Sequence, residues 1–160
     1  IIPDDNLSSP AGSTTTKPTQ KPAQRSTQTP SSGNFFAYPL PVASSHFVRP
    51  GHGTYKGVDI GAKVGTPIYA AADGVVAITD GVGYNTGWGS YVLINHVLPN
   101  GTKAQTLYAH MSSIVAVTGQ TVRQGDVIGY VGMTGHTSGP HLHIEVRGVS
   151  NPFNDPNYGR

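Results

Sequence analysis

The residues best suited to chemistry lie near the end of the chain, in the stretch "GPHLHIEV" at positions 139–146. Three polar residues alternate there with three apolar ones: His141, His143 and Glu145 against Leu142, Ile144 and Val146. Because side chains of a β-strand alternate between its two faces, we expect the polar trio on one face and the apolar trio toward the core. Two imidazoles on one face suit a zinc site, although a strand without function would show the same pattern.

Two other short stretches carry candidate residues. "TLYAHM" places Tyr108 and His110 two apart, which predicts a shared strand face, and "GVDIG" places Asp59 near the start of what we predict to be the first strand of the domain. Each is ordinary by itself, since a lone Asp after a turn is most often a turn or cap residue. Glu145 could support a metal-bound histidine or lie on the surface.

The elements that must position these residues are short strands. "PIYAAADGVVAITDG" indicates two strands around the turn dipeptide Asp73-Gly74, and the apolar runs on either side of Pro99-Asn100-Gly101 predict a hairpin. "TVRQGDVIGYVGMTG" and "HLHIEVRG" add further strands and turns, and sustained helical periodicity is absent. We therefore predict an all-β fold, a mostly antiparallel sheet arranged as a sandwich or partly open barrel.

The first 33 residues differ in composition from the rest of the 160-residue chain. They consist largely of Ser, Thr, Pro and Gln, and such a segment buries too little apolar surface to offset its ordering entropy. We predict a disordered linker at 1–33 and a single folded domain at 34–160. Ser/Thr/Pro tracts often tether extracellular domains, but an ordinary disordered tail would look the same.

Composition excludes several classes of function. The formal net charge is only +2, which is too small for a nucleic-acid-binding surface. The chain has no cysteine, so disulfides, thiolate metal sites and cysteine nucleophiles are ruled out. Apolar runs fall short of the roughly 20 residues of a membrane helix. The chain begins with Ile1 rather than Met, and a secretion signal could have been removed with a processed or trimmed end.

Taken together, the motifs resemble a known family. "GVDIG", "GTPIYAAADGVV", "YVLINH", "LYAHM" and "VRQGDVIGYVGMTGHTSGPHLHIEV" are similar to the lysostaphin and LytM-type zinc endopeptidases of the M23 family, from about Phe47 to Pro152. The resemblance implies a mostly antiparallel β fold with a substrate groove. It also implies hydrolysis of short peptide bridges in bacterial peptidoglycan, with Asp59 and His143 as zinc ligands and His110 and His141 as catalytic residues.

One position departs from the family pattern H-x-G-x-D, because Tyr55 stands where the first histidine ligand is expected. Tyrosine is a poor zinc ligand at neutral pH. In one interpretation His52, three residues upstream, takes over as the ligand through a permissive loop at Gly53 and Thr54. In the other, the domain is degenerate and binds the cell wall or activates another wall hydrolase. We favour His52, since a domain freed from catalysis would not need the remaining Asp and His set.

A third class, the biotinyl or lipoyl carrier domain, is suggested by "GTPIYAAADGVVAI" and "VRQGDVIGYVG". It ranks last because Lys103 lacks the neighbours of a carrier lysine and the Asp/His set stays unexplained. We further expect a monomer that acts on peptidoglycan outside the cytoplasm, extracellular or in the cell envelope. Four residues are assigned to the substrate groove: Tyr84, Trp88, Tyr108 and His136. Trp88 could equally cover a sheet edge.

Overall fold

The computed structural model describes Ser26 and residues 34–160, so the predicted linker at 1–33 lies, apart from Ser26, outside the described residues. The described part contains three short 3-10 segments and no α-helix, and it forms no helix long and apolar enough to cross a membrane. Its nine strands are β1 (Ser45–His52), β2 (Gly57–Ala62), β3 (Pro67–Tyr69), β4 (Gly74–Asp80), β5 (Ser90–Val97), β6 (Lys103–Ile114), β7 (Thr121–Val122), β8 (Val127–Val131) and β9 (His141–Arg147).

All pairings between these strands are antiparallel, which confirms the predicted fold class. The order across the main path is β1-β2-β9-β6-β5-β4-β7, while β8 pairs with both β6 and β3. The predicted hairpin is present between β5 and β6, and its turn is closed by a hydrogen bond from the Gly101 amide to the Leu98 carbonyl. β1 lies at the edge of the sheet. It can therefore contain Pro50, because the missing backbone N–H of a proline breaks no hydrogen bond between the central strands.

The sheet has a core face and a groove face. Leu142, Ile144 and Val146 of β9 lie on the core face, as predicted, within the main hydrophobic cluster. The intervening residues of β9, among them His143 and Glu145, lie on the opposite face. Their partners in β6 on that face, Ala109 and Leu107, belong to a second, smaller apolar cluster. The register of β9 is therefore fixed by the apolar residues that alternate with its candidate site residues.

One detail of the predicted elements is wrong. Asp59 lies in the second strand rather than the first, because β1 precedes it and pairs with it as an edge strand. The strands around Asp73-Gly74 do form, but they do not pair with each other. β3 pairs with β8 and β4 pairs with β5 and β7, so this turn passes the chain between different parts of the sheet.

Candidate metal centre

Asp59 and His143 meet across the pairing of β2 and β9. They are directly opposite each other in the register, and directly opposed residues share a face of the sheet. The Asp59 Oδ1 atom lies 2.9 Å from His143 Nδ1, and both side chains are buried. The two residues that the family resemblance marks as ligands are thus brought together by strand register alone.

His52 joins this pair through an irregularity in β1. Between Arg49 and His52 the strand has one residue more than its partner, so Arg49 lies opposite Asp59 and His52 lies opposite Gly57. Such a bulge re-aims the side chains that follow it. The His52 Nε2 atom is 3.1 Å from Asp59 Oδ2, and one ligand atom each of His52, Asp59 and His143 lie within 4.8 Å of one another.

Tyr55, by contrast, points away from this cluster. It follows β1 in the turn before β2, its side chain is 46% exposed, and its ring packs against the guanidinium of Arg147, with 3.8 Å between Arg147 Cζ and the ring centroid. The position at which the family pattern has a ligand is therefore occupied by a stacking residue, while the imidazole three residues upstream reaches Asp59.

Gly57 is needed for the packing of His143. A Cβ atom at this position would clash with the His143 ring, at both Cε1 and Nε2. The imidazole thus lies directly over the backbone of β2, and any side chain at position 57 would displace it. The glycine of "KGVDIG" is explained by this close approach of ring and backbone.

His110 reaches the groove because the strand alternation fails there. Between Val92 and Ser90 of β5 the partner β6 contains an extra residue, and His110 has a φ of 62°, in the left-handed region. Its amide donates to the Trp88 carbonyl at 2.7 Å, and its Nδ1–H donates to the Thr134 carbonyl at 2.8 Å. The neutral ring consequently leaves Nε2 unprotonated toward the groove.

His141 is held in the same tautomer. Its Nδ1–H donates to the Gly139 carbonyl at 2.9 Å, and its Nε2 lies 3.5 Å from Asp59 Oδ1. The ring centroids of His110 and His141 are 4.7 Å apart. Two imidazole nitrogens that can each accept a proton therefore flank the Asp59–His143 pair.

Electrostatics reinforces this division of roles. Burial by itself would raise the pKa of Asp59, but the hydrogen bond from His143 and the charge of His141 outweigh it and hold that pKa well below its usual range. Burial would lower the pKa of His143, yet its bonds to Asp59 and Glu145 raise it to about 9. For His110, burial lowers the pKa to about 4. Asp59 is thus ionised and His110 neutral at pH 7.

Glu145 is buried at 4% exposure, so the expectation of a surface position is wrong for this residue. Its Oε1 accepts from His143 Nε2 at 3.2 Å, and its Oε2 accepts from Arg147 Nη2 at 2.7 Å. The imidazole of His143 is therefore held from both sides, by Asp59 at Nδ1 and by Glu145 at Nε2.

The cluster opens into a groove of about 1050 Å³. Tyr84, Trp88 and His136 lie among its lining residues, and Trp88 also packs against the smaller apolar cluster that contains Leu107. Tyr108 was wrongly assigned to the groove. The bulge at His110 separates their faces, and Tyr108 is fully buried in the core, where its hydroxyl accepts from the Ala71 amide at 2.9 Å.

Several site residues were not anticipated from the sequence. Arg49 forms an ion pair with Asp59, with Nε 3.3 Å from Oδ2, a contact that the proximity of Arg49 to His52 along the chain could have suggested. Thr134 holds His110 by its carbonyl, and a backbone acceptor leaves no signal in residue type. Thr137 Oγ1 lies 3.3 Å from His141 Nδ1, within the loop that precedes β9.

The donor set fits zinc. One ionised carboxylate and two imidazoles, grouped around a common point and open to a groove, leave a fourth position for water, as catalytic zinc sites require. Tyr55 is not part of this donor set, and the fit does not depend on it.

Comparison with known proteins agrees with this arrangement. The model of "Peptidase family M23" matches residues 53–155. DD-carboxypeptidase/endopeptidase Mpg of Neisseria meningitidis is 45% identical over 100 residues, which are 62% of this chain and 21% of that protein. Peptidoglycan DD-endopeptidase ShyA of Vibrio cholerae is 40% identical over 100 residues, 62% of this chain and 22% of that protein. The chain thus spans only about a fifth of these relatives.

Solved structures show the same fold. The catalytic domain of a variant of the prophage-encoded M23 protein EnpA from Enterococcus faecalis superposes with a TM-score of 0.58 at 32% identity, covering 77% of this chain and 91% of that one. A zinc containing peptidase from Vibrio cholerae gives a TM-score of 0.59 at 29% identity, covering 71% of this chain and 36% of that one. Since the family model covers more than half of the sequence, this chain belongs to peptidase family M23.

Proposed function

We propose that this chain is a zinc-dependent endopeptidase that hydrolyses peptide cross-bridges of bacterial peptidoglycan outside the cytoplasm, in the cell envelope or beyond it. The observation that carries the proposal is the convergence of His52, Asp59 and His143 on one point, next to the free Nε2 atoms of His110 and His141. Family membership and relatives named as peptidoglycan DD-endopeptidases support it.

His52, Asp59 and His143 would hold the metal. Zinc in such a site supplies a water of lowered pKa and a Lewis acid for the scissile carbonyl. His110 and His141 would carry out the proton transfers and the hydrogen bonding to the substrate. His110 is neutral and presents Nε2, so it can accept a proton from the attacking water and return it to the leaving amine. His141 also presents Nε2 to the centre, and in the protonated form of the ring this nitrogen can donate to the developing oxyanion.

The groove would receive the peptide. Tyr84 and His136 are exposed on loops at its rim, and Trp88 offers a half-buried aromatic surface beside them. Aromatic side chains at a groove rim offer a large apolar contact area to a bound peptide. We assign residues 34–160 to the catalytic domain, 1–33 to a linker, and expect a monomer.

The proposal is tested with the purified chain, by metal analysis and by digestion of cross-linked peptidoglycan fragments followed by chromatography. We expect about one zinc per chain and cleavage of cross-links. His110→Ala and His141→Ala should keep the zinc and lose about 100-fold to 10,000-fold in turnover, the range typical of a lost general acid or base. Asp80→Asn, which alters a carboxylate away from the groove, serves as the control.

Each contrary result is informative. A chain that binds zinc but leaves cross-links intact would be the degenerate, wall-binding form of the family. A chain that binds no zinc would overturn the enzyme assignment. Unchanged turnover in His110→Ala or His141→Ala would remove that histidine from the mechanism.

A further inference from the structure

The guanidinium of Arg147 is fixed by three neighbours. It donates to Glu145 Oε2 twice, from Nε at 3.0 Å and from Nη2 at 2.7 Å. On its open side it lies 3.8 Å from the ring centroid of Tyr55, and the ring centroid of Trp88 is 5.5 Å away. Both distances fall within the range of cation–π attraction. The side chain is only 18% exposed, so Arg147 has little freedom to leave this position.

Glu145 connects the fixed guanidinium of Arg147 to His143 of the candidate metal centre. Its two oxygens have separate partners, since Oε2 accepts from Arg147 and Oε1 accepts from His143 Nε2 at 3.2 Å. A carboxylate that accepts from one ring nitrogen of a histidine keeps the proton there and turns the other nitrogen to the ligand side. For His143 that other nitrogen is Nδ1, which faces Asp59.

We propose that Tyr55, Arg147 and Glu145 form a support chain that holds the His143 imidazole with Nδ1 directed at the metal position. This inference rests on the proposed function, and it gives Tyr55 a positioning role in place of the ligand role that its sequence position suggests. Tyr55 clamps Arg147, Arg147 orients Glu145, and Glu145 fixes the tautomer and angle of His143. Tyr55 can pack against Arg147 instead of binding the metal because His52, turned by the bulge in β1, reaches Asp59 in its place.

The support chain is tested by zinc affinity, measured by competition with a chromophoric chelator. Glu145→Gln keeps the shape of the side chain and removes its charge, and we expect zinc to bind about 10-fold to 100-fold more weakly. Tyr55→Ala should weaken binding by about 3-fold to 10-fold through the loss of the clamp on Arg147. Tyr55→Phe keeps the ring that packs on Arg147 and should bind zinc like the unaltered protein.

The double variant distinguishes a chain of contacts from separate effects. If Tyr55 acts through Glu145, then Tyr55→Ala combined with Glu145→Gln should bind zinc no more weakly than Glu145→Gln alone. Additive losses, or an unchanged affinity in either single variant, would overturn the support chain. Tyr130→Ala and Asp80→Asn are matched controls for ring and charge, since Tyr130 lies in β8 and Asp80 ends β4, both away from the groove.

Two results separate this inference from the proposed function. If the unaltered protein binds no zinc, the proposed function fails and the support chain fails with it. If the unaltered protein binds zinc and cuts peptidoglycan while all the variants bind zinc equally well, only the support chain fails. Melting temperatures of the metal-free variants show whether a weaker affinity merely reflects unfolding, and rescue by Tyr55→Phe excludes that explanation for Tyr55→Ala.

Discussion

Asp59 is the residue on which the contacts of the centre converge. Its Oδ1 faces His143 and His141, and its Oδ2 faces His52 and Arg49. An ionised carboxylate at this depth is stable only with such partners, because an unpaired buried charge is costly. Asp59 contacts three imidazoles of the described part of the chain, those of His52, His141 and His143, and a bound cation would complete the set.

The ligand role of His52 is the first prediction at this scale. His52→Ala would remove one of the three proposed protein ligands, so zinc affinity should fall as far as in His143→Ala, and further than the about 10-fold to 100-fold typical of a lost supporting partner. Tyr55→His should not raise the affinity, because position 55 faces Arg147 rather than Asp59. Chelator competition measures both. A silent His52→Ala together with a tighter Tyr55→His would identify a degenerate site.

His110 leads to a prediction about pH. In the metal-free folded protein its pKa lies at about 4 because of burial, below the ordinary value near 6.5. Between these two values the unfolded chain carries a proton on His110 that the folded chain does not, so stability falls as pH falls through this window. Denaturant unfolding at a series of pH values should show a shallower loss in His110→Gln. The exposed His46→Gln should keep the original slope, and equal slopes in all three proteins would contradict the assignment.

At the scale of elements, two bulges determine the geometry of the site. The extra residue in β1 brings His52 opposite Gly57, and the extra residue in β6 turns His110 out of the core. Regular alternation in β9 was enough to predict that His141, His143 and Glu145 share a face. Alternation also predicted a shared face for Tyr108 and His110, which is wrong, because a bulge depends on backbone conformation that residue types do not reveal.

Thr134 joins the elements around His110. Its hydroxyl accepts from the Ser90 amide at 3.0 Å and donates to the Met111 carbonyl at 2.7 Å, while its carbonyl accepts from His110. It therefore ties the loop after β8 to the start of β5 and to the bulge in β6. No sequence signal marked this residue, since two of its three bonds are to backbone groups far along the chain.

Thr134→Val tests this junction. Loss of the hydroxyl leaves the Ser90 amide and the Met111 carbonyl without this partner, which should lower the free energy of unfolding by about 1–3 kcal/mol. Turnover should fall because His110 loses its fixed position, while zinc content should be unchanged. Thr118→Val, which removes an exposed hydroxyl bonded to Thr79, should change stability by less than about 0.5 kcal/mol. Equal effects of the two substitutions would show that Thr134 has no special role.

At the scale of the whole molecule, the sequence was sufficient to predict the fold class and the hairpin at Pro99-Asn100-Gly101. These features follow from turn residues and alternating apolar positions, which act locally. The pairing of β3 with β8 and the edge position of β1 were not predicted, because they are contacts between distant segments. The Asp59–His143 contact is also distant, and only the resemblance to a family indicated it before the structure did.

Removal of residues 1–33 tests the predicted division of the chain. One contact that would be lost is the hydrogen bond from the Ser26 amide to the Gly125 carbonyl, at 2.8 Å. A loss of this size, about 0.5–1.5 kcal/mol for one hydrogen bond, should lower the melting temperature by no more than about 8 °C. Zinc content should be unchanged. Calorimetry and metal analysis measure the two quantities, and a much larger fall would show that the segment is part of the folded domain.

The alternation along β9 has a consequence for how this domain can diverge. Its groove face and its core face are carried by the same seven residues, from His141 to Arg147. A single-residue insertion or deletion inside β9 that no bulge absorbed would exchange the faces of the residues beyond it, turning imidazoles toward the core and apolar side chains such as Ile144 toward the groove. The loops on either side can vary in length, but a change of spacing within β9 that no bulge absorbs would disrupt the candidate metal centre and the core together.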